Sequence, residues 1–389
     1  MNILEVFITS LKLGLTSFGG PIAHLSFFRE EFVQKKKWMS EESYADLVAL
    51  CQFLPGPASS QVGMAVGYFR SGVLGAFLAW IGFTLPSALL LIAFGLGLAT
   101  IDLAAHQHWL HGLKVVAVAV VAQAVLGMGK KLCPDKERLT LAIFSSAIVF
   151  FLNSAIIQVL VLALAGLMGS YFLKTQSTLP NESLGKGSRK LGIVFLSLFF
   201  LLLALLPVLK SFYPVQSLML FDSFYRAGSL VFGGGHVVLP LLQAEVVPTG
   251  WVSKDLFLAG YGLANAVPGP LFTFSAYLGA VSSVGPNGWI GAFICLVAVF
   301  LPSFFLVIGI LPFWEKIRVV PKIRQAMLGL NAAVVGILFA AFCHPVWISA
   351  IFSLKDFGLA IVGFLLLEFV KLPSWAVVLM TVAVSFFIY

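Results

Sequence analysis

Charge is scarce in this chain. Asp, Glu, Lys and Arg together make up 10% of its 389 residues, against roughly a quarter in soluble domains. That excludes an ordinary soluble fold. With hydrophobic residues at 60% and a mean hydropathy of +1.02, the chain belongs in a lipid bilayer. Cysteine is equally sparse: Cys51, Cys133, Cys295 and Cys343 lie far apart without a CxxC pair. This excludes a disulfide framework or zinc ribbon and leaves buried apolar thiols. HExxH and Walker sequences are absent, so neither metalloprotease chemistry nor autonomous ATP hydrolysis is expected, and no cofactor. A membrane enzyme would need a tight cluster of His, Asp and Glu, which the sequence lacks. The first apolar stretch has no basic n-region before it and no small-residue cleavage site after it. It reads as part of the membrane protein rather than a removable signal. Acidic residues are the scarcer sign, 16 against 24 Lys and Arg. The resulting charge of +8 sits in short loops between apolar runs, a topology and surface-anchoring pattern that argues against a nucleic-acid partner.

What is present is said twice. Phe18-Gly19-Gly20-Pro21, Trp38-Met39-Ser40 and Leu54-Pro55-Gly56-Pro57 recur as Phe232-Gly233-Gly234-Gly235, Trp251-Val252-Ser253 and Val267-Pro268-Gly269-Pro270. The offset is about 214 residues, the mark of an internal duplication. Thr84-Leu85-Pro86-Ser87 pairs with Phe300-Leu301-Pro302-Ser303, and Gly112-Leu113-Lys114 with Gly329-Leu330-Asn331. Two such halves in an apolar chain point to an all-α polytopic transporter built from a repeat, with its site where the halves meet.

Apolar runs near 72–99, 110–130, 139–153, 154–173, 191–209, 287–311, 326–350, 357–370 and 373–389 read as helices, of about 20 residues each. Of these, 154–173 and 373–389 suit ordinary spans. The stretches 3–23, 44–70, 217–242 and 256–283 are interrupted or ended by Gly and Pro and read as broken or re-entrant helices, tolerated at membrane depth only inside protein or along a cavity. The expected organisation is a first transport repeat at 1–173, a polar linker at 174–190, an extra spanning helix at 191–209 and a second repeat at 210–389. An odd extra crossing inverts the second repeat. Charge agrees: Arg29, Lys35, Lys36 and Lys37 face Glu245, Lys254 and Asp255 in the counterpart loop. The loop near 100–111 has Asp102 and no Lys or Arg, whereas 312–325 has Lys316, Arg318, Lys322 and Arg324. Lys130, Lys131, Lys136 and Arg138 stand against only Lys355 and Asp356. Inverted topology predicts this alternation, with 24–43, 130–138, 174–190 and 312–325 on the cytoplasmic side.

Pro55, Pro57, Pro268 and Pro270 each stop one helix and pre-organise the next. The new half-helix starts with free backbone N–H groups beside Ser59, Ser60 and Thr273, an anion-binding end. Gly19, Gly20, Gly233, Gly234 and Gly235, with Gly56 and Gly269, offer bare backbone that a ligand can approach, and Pro21 completes the first glycine break. His24 and His236 follow these motifs as anion-contacting or proton-titrating groups. Arg29, Arg70 and Arg226 are candidate vestibule cations, although Arg29 and Arg70 equally suit interfacial anchoring. Lys12, Lys114 and Asp222 are charges within apolar runs. Gln52, Gln61 and Asn265 flank the breaks, where they also suit satisfying freed backbone groups. Phe18, Phe232, Phe272 and Phe274 are candidate gates among 37 Phe residues.

The ordered pattern FGGP, His24, Trp38-x-Ser40, Gln52-x-LPGP-ASSQ, Gly67-x-x-Arg70-x-Gly72 and TLPSALLL, repeated as FGGGH, VPGPLFTFSAYLGA and LPS, resembles the chromate ion transporter family over nearly the whole chain. Its length is similar to the two-repeat members. The resemblance implies export of chromate from the cytoplasm across a bacterial-type inner membrane, chromate resistance, and sulfate as an isosteric competitor. The positions matching on that basis are His24, Arg29, Gln52, Pro55, Gly56, Pro57, Ser59, Ser60 and Gln61, then Gly233 to His236, Pro268, Gly269, Pro270, Phe272 and Thr273. Gln243 and Asn265 stand where Glu and Gln are expected in similar proteins. A sulfate importer and a passive anion channel are the alternatives on the same residues, and homo-oligomerisation is compatible with either.

Overall fold

The computed structural model describes residues 3–100, 107–152, 154–174, 187–232 and 235–388. Most of the polar linker, Asp102, Gly233 and Gly234 lie outside the described residues. Among those described, helices are the only regular elements. The first half contains α1 (Ile3–Thr16), α2 (Gly20–Arg29), α3 (Glu41–Phe53) and α4 (Ala58–Thr100). It continues with α5 (Gln107–Leu132), α6 (Lys136–Phe151) and α7 (Ala155–Phe172). After α8 (Arg189–Phe212) come α9 (Gln216–Leu230), α10 (Val238–Val246), α11 (Lys254–Ala264), α12 (Phe274–Ala280) and α13 (Gly288–Ile310). The short α14 (Trp314–Ile317), α15 (Pro321–Ala341), the short α16 (Ile348–Ala350), α17 (Leu354–Glu368) and α18 (Ser374–Ile388) complete it.

The breaks fall where proline and glycine place them. In the first half Lys12 on α1 pairs with Glu31 at 2.9 Å, and Lys36 reaches Glu5 at 2.9 Å. Such pairing requires α1 and α2 to run antiparallel, so the chain enters and returns to one face. α3 enters from that face, and the Pro55-Gly56-Pro57 break turns it back. At Ser71 and Gly72 the backbone of α4 leaves helical angles and reverses, bringing Gly67 against Gly75. Arg70, at the tip, lies 4.9 Å over the Trp38 ring at the base of α3. The second half repeats this: Gly279 on α12 meets Gly291 on α13, and the Ser283 N–H donates to the Trp251 carbonyl at 2.8 Å. Each broken pair therefore contributes an even number of crossings, as the charge pattern required.

The serines of the two Trp-x-Ser marks are helix caps. Ser40 accepts from the Ser43 N–H at 3.1 Å and Ser253 from the Leu256 N–H at 3.3 Å, each satisfying a donor left over at a helix start. They fix the entry points of α3 and α11, the helices that lead into the Pro-Gly-Pro breaks.

The later helices are exchanged between halves. α5 packs on α17 and α18 of the second half, while α15, its repeat counterpart, packs on α6 and α7 of the first. Gly329 of α15 meets Ala165 and Gly169 of α7, and Gly336 meets Ala142 of α6. α15 therefore begins at the face where α5 ends, and the equivalent helices run in opposite directions. The halves are inverted repeats. Gripped on several sides, α5 buries Val115 through Val121 at no more than 3% exposure each, as a helix apolar all round should.

Among the described residues, five helical stretches contain a run long and apolar enough to cross a membrane: Ala58–Leu98, which the reversal at Ser71 and Gly72 divides, His108–Leu132, Arg189–Phe212, Gly288–Ile317 and Pro321–Ala350. The runs 154–173 and 373–389, expected as ordinary spans, are shorter helices. α18 has 15 residues, about 22 Å at 1.5 Å per residue and short of a hydrocarbon core of about 30 Å. Apolar composition there reflects packing on α5 and α15 as well as lipid. The run 326–350 also breaks, because His344 precedes Pro345 and takes extended angles (φ −143°), the conformation a following proline imposes.

Candidate functional site

The two Pro-Gly-Pro loops are stitched reciprocally to the opposite half. The Gly56 N–H donates to the Val231 carbonyl at 2.6 Å, and the Gly269 N–H donates to the Ser17 carbonyl at 2.9 Å. Ser17 and Val231 immediately precede the two glycine motifs, so four motifs from two halves converge on one place. Both glycines are left-handed, with φ +120° at Gly56 and +95° at Gly269, angles that a side chain makes costly. A Cβ would also collide: at Gly56 with the Ser303 hydroxyl, and at Gly269 with the Ser87 hydroxyl at 2.8 Å. The two Leu-Pro-Ser marks thus supply the floor beneath each loop. Gln61 donates to the Pro55 carbonyl at 2.6 Å and Thr273 to the Pro270 carbonyl at 2.7 Å, satisfying backbone groups freed by the breaks.

Two cavities flank this junction. The larger, of about 340 Å³, runs from Gly19, Gly56, Gly235 and His236 to Lys131 and Leu132 at the end of α5. The smaller, of about 250 Å³, is bounded by Gly20, Asn265, Gly269 and Lys371. They share Gly19, Gln123 and His236. Each holds many times the roughly 30 Å³ of a liquid water, enough for a small hydrated ion. The walls offer backbone, amide and ammonium donors, with Glu368 the one carboxylate on the larger cavity.

The sequence model of the family described as Chromate transporter matches residues 4–170 and 218–386, one block in each half. The chain belongs to the chromate transporter family. It is 29% identical over 354 residues to the chromate transport protein of Pseudomonas aeruginosa, covering 87% of this chain and 80% of that protein. Identity is 27% to the probable chromate transport protein of Synechococcus elongatus, covering 85% and 81%. An uncharacterized transporter of Methanocaldococcus jannaschii is 26% identical over 99% of this chain and 94% of its own length. No solved structure matches.

Within this family member the candidate residues separate into two groups. Gly19, Gly20, Gln52, Gly56, Gly235, His236, Asn265 and Gly269 border the cavities. His24, Ser59, Ser60, Gln61 and Thr273 are buried at no more than 2% exposure, behind the cavity walls. His24 shares a hydrogen bond with Ser59 at 3.2 Å, and His236 with Tyr261 at 2.7 Å. The Ser17, Ser60 and Ser303 hydroxyls and the Gln61 Oε1 are buried without a hydrogen-bond partner among the described residues, an unusual concentration around a backbone break. Pro21 starts α2, while Pro55, Pro57, Pro268 and Pro270 shape the loops.

The arginines lie elsewhere. Arg29 pairs with Glu41 on the surface, and Arg70 stacks on Trp38. Arg226 holds Asp222 at 3.0 Å and Glu245 at 3.0 Å, one repeat on from the Lys12–Glu31 pair, and Lys210 also pairs with Asp222. Lys114 pairs with Asp255 at 2.9 Å. These pairs brace helices. Phe272 and Phe274 are core residues with no exposure, and Phe18 packs near Trp375 at 6.2 Å between ring centres. Gln243 lines a separate space of about 20 Å³ with Gln158 and His344.

Motif reading missed Gln123, Lys131, Asn331, Glu368 and Lys371 on the cavity walls, and Ser87 and Ser303 beneath the loops. Gln123 was detectable as a polar residue inside the apolar run of α5. Ser87 and Ser303 stood in repeat marks already noted.

Proposed function

We propose that this membrane protein is a secondary transporter that exports chromate from the cytoplasm of a bacterial-type cell across its inner membrane, conferring chromate resistance. The observation that carries this reading is the direction of the larger cavity. It extends from the glycine backbone of both halves to Lys131, on the face that also carries Lys35 to Lys37, Lys136, Arg138 and Lys322. Basic loops mark the cytoplasmic side, so the cavity loads from the cytoplasm. A tetrahedral dianion there meets the glycine backbone of Gly19, Gly56 and Gly235 together with His236, an arrangement suited to oxyanions. Moving two negative charges out of a negative interior is favoured by about 4.6 kcal/mol per 100 mV, from about 2.3 per charge, which drives export without a coupled ion. Relatives named as chromate transport proteins support the substrate, and sulfate shares its shape and charge.

Everted membrane vesicles with an imposed potential, interior positive, test it. Potential-driven chromate uptake that excess sulfate inhibits is the expected result. Absence of uptake in vesicles containing the protein overturns chromate export, and ohmic, non-saturating flux would replace the transporter with a channel.

A further inference from the structure

The cytoplasmic end of the cavities is charged in a way that no motif announces. Lys130 and Lys131 end α5, Glu368 ends α17, and Lys371 follows in the turn before α18. Glu368 holds Lys130 at 3.5 Å and Lys371 at 3.3 Å, with only 16% of its own side chain exposed. Lys131 lines the larger cavity beside Glu368 and has no ion pair among the described residues. Lys371 lines the smaller one. Two ammonium groups therefore hold one carboxylate, and a third, on Lys131, lines the same cavity wall. Lys371 sits at φ +62°, a left-handed conformation disfavoured for any residue with a Cβ, so the turn holds this lysine at the cavity wall against its backbone preference.

We propose that Lys131, Lys371 and Glu368 form a charge-selective mouth that favours divalent over monovalent oxyanions. The net positive balance attracts anions, and the attraction between fixed charges scales with the charge of the incoming ion. A dianion competes well with the Glu368 carboxylate for Lys371. A monoanion competes poorly. The lysine ammonium, a point charge on a flexible stem, then follows the anion inward towards His236 and the glycine backbone. Glu368 is thus a specificity-determining residue: it keeps Lys371 occupied until a more highly charged ligand arrives. The direction of travel rests on the export reading above, whereas the charge selection does not.

The test is equilibrium binding to the purified full-length protein, read as thermal stabilisation by chromate, sulfate and nitrate at low and high ionic strength. Lys131→Gln and Lys371→Gln are each expected to raise the half-saturating chromate and sulfate concentrations about 3- to 10-fold at low salt, and less at high salt where exposed charges are screened. Glu368→Gln is expected to lower them and to narrow the preference over nitrate, a change of opposite sign that damage to the fold does not produce. Unchanged half-saturation in both lysine variants, or no dianion binding by the unaltered protein, overturns the mouth. Lysine-independent binding by a protein that exports chromate sinks this proposal and leaves export standing. Lysine-dependent binding of dianions by a protein that moves no chromate does the reverse.

Discussion

The two Pro-Gly-Pro loops share a sequence device and a hydrogen-bonding partner logic, yet they open onto different surroundings. After the first, Ala58 starts a regular helix that lines the larger cavity with Gly56. After the second, a 3-10 turn at Leu271–Thr273 leads into the seven-residue α12, and Gly269 faces the smaller cavity. The histidines diverge likewise: His236 borders both cavities, while His24 is 1% exposed and turned to Ser59. Duplication supplied equivalent parts; inversion placed them on opposite sides of one junction, so a single conformation exposes them unequally. The transporter proposed above gives this inequality a use, each half taking in turn the role its partner holds.

The largest expected effect breaks both loops together. Gly56→Val and Gly269→Val each combine a left-handed backbone with a serine in the way, and vesicle transport should fall by on the order of 100-fold, the scale associated with displacing a site by about 1 Å. Normal transport in both would remove the helix breaks from the mechanism. The milder Gly56→Ala sharpens the contrast, because a second change, Ser303→Gly, should restore part of its activity, as Ser87→Gly should for Gly269→Ala. Rescue only by the mismatched serine would break the reciprocal pairing.

The contacts joining the halves at opposite faces come next. Asp46 is buried and accepts from Trp314 at 3.2 Å and Arg318 at 3.1 Å. Asp46→Asn should cost about 3 kcal/mol of unfolding free energy, since it strips a buried ion pair of one partner. The histidines follow. His236→Ala should reduce transport about 10-fold, the loss of roughly one ligand hydrogen bond, besides costing stability through the buried Tyr261 hydroxyl it leaves unpartnered. His24→Ala should lower the melting temperature, by the about 1–3 kcal/mol that an abandoned buried partner costs, with a smaller loss of transport than His236→Ala. An equal transport loss in both would erase the distinction between wall and support. The smallest effect belongs to the Lys114–Asp255 pair, where Asp255 is 73% exposed. Asp255→Asn should change stability by less than about 1 kcal/mol, measurable in the same melts.

Much of this architecture was legible in the chain. Gly and Pro placed all four broken segments, and the swapped basic clusters forecast inversion, because bond geometry and loop charge act locally. Helix lengths were less legible: 154–173 and 373–389 are as apolar as a full span, and hydropathy does not distinguish a lipid-facing turn from one packed on α5 or α15. Among candidate site residues, Gly19, Gly20, Gly56, Gly235, Gly269 and His236 lie on the cavity walls because their motifs bring their own backbone to the junction. Arg226 misled, since its charge was visible while Asp222 and Glu245, which hold it, became neighbours only through folding.

By itself the sequence determined where helices stop, that the unit is duplicated, and which loops are positive, for these follow from proline's missing N–H, glycine's freedom at positive φ and the charge of short segments. Tertiary structure alone decided which side chains meet at the cavities. Gln123 and Lys131 on α5 share cavity walls with Glu368 and Lys371 only because α5 leaves its own half to pack against α17 and α18, and an exchange set by complementary packing has no signature in the local sequence of either partner.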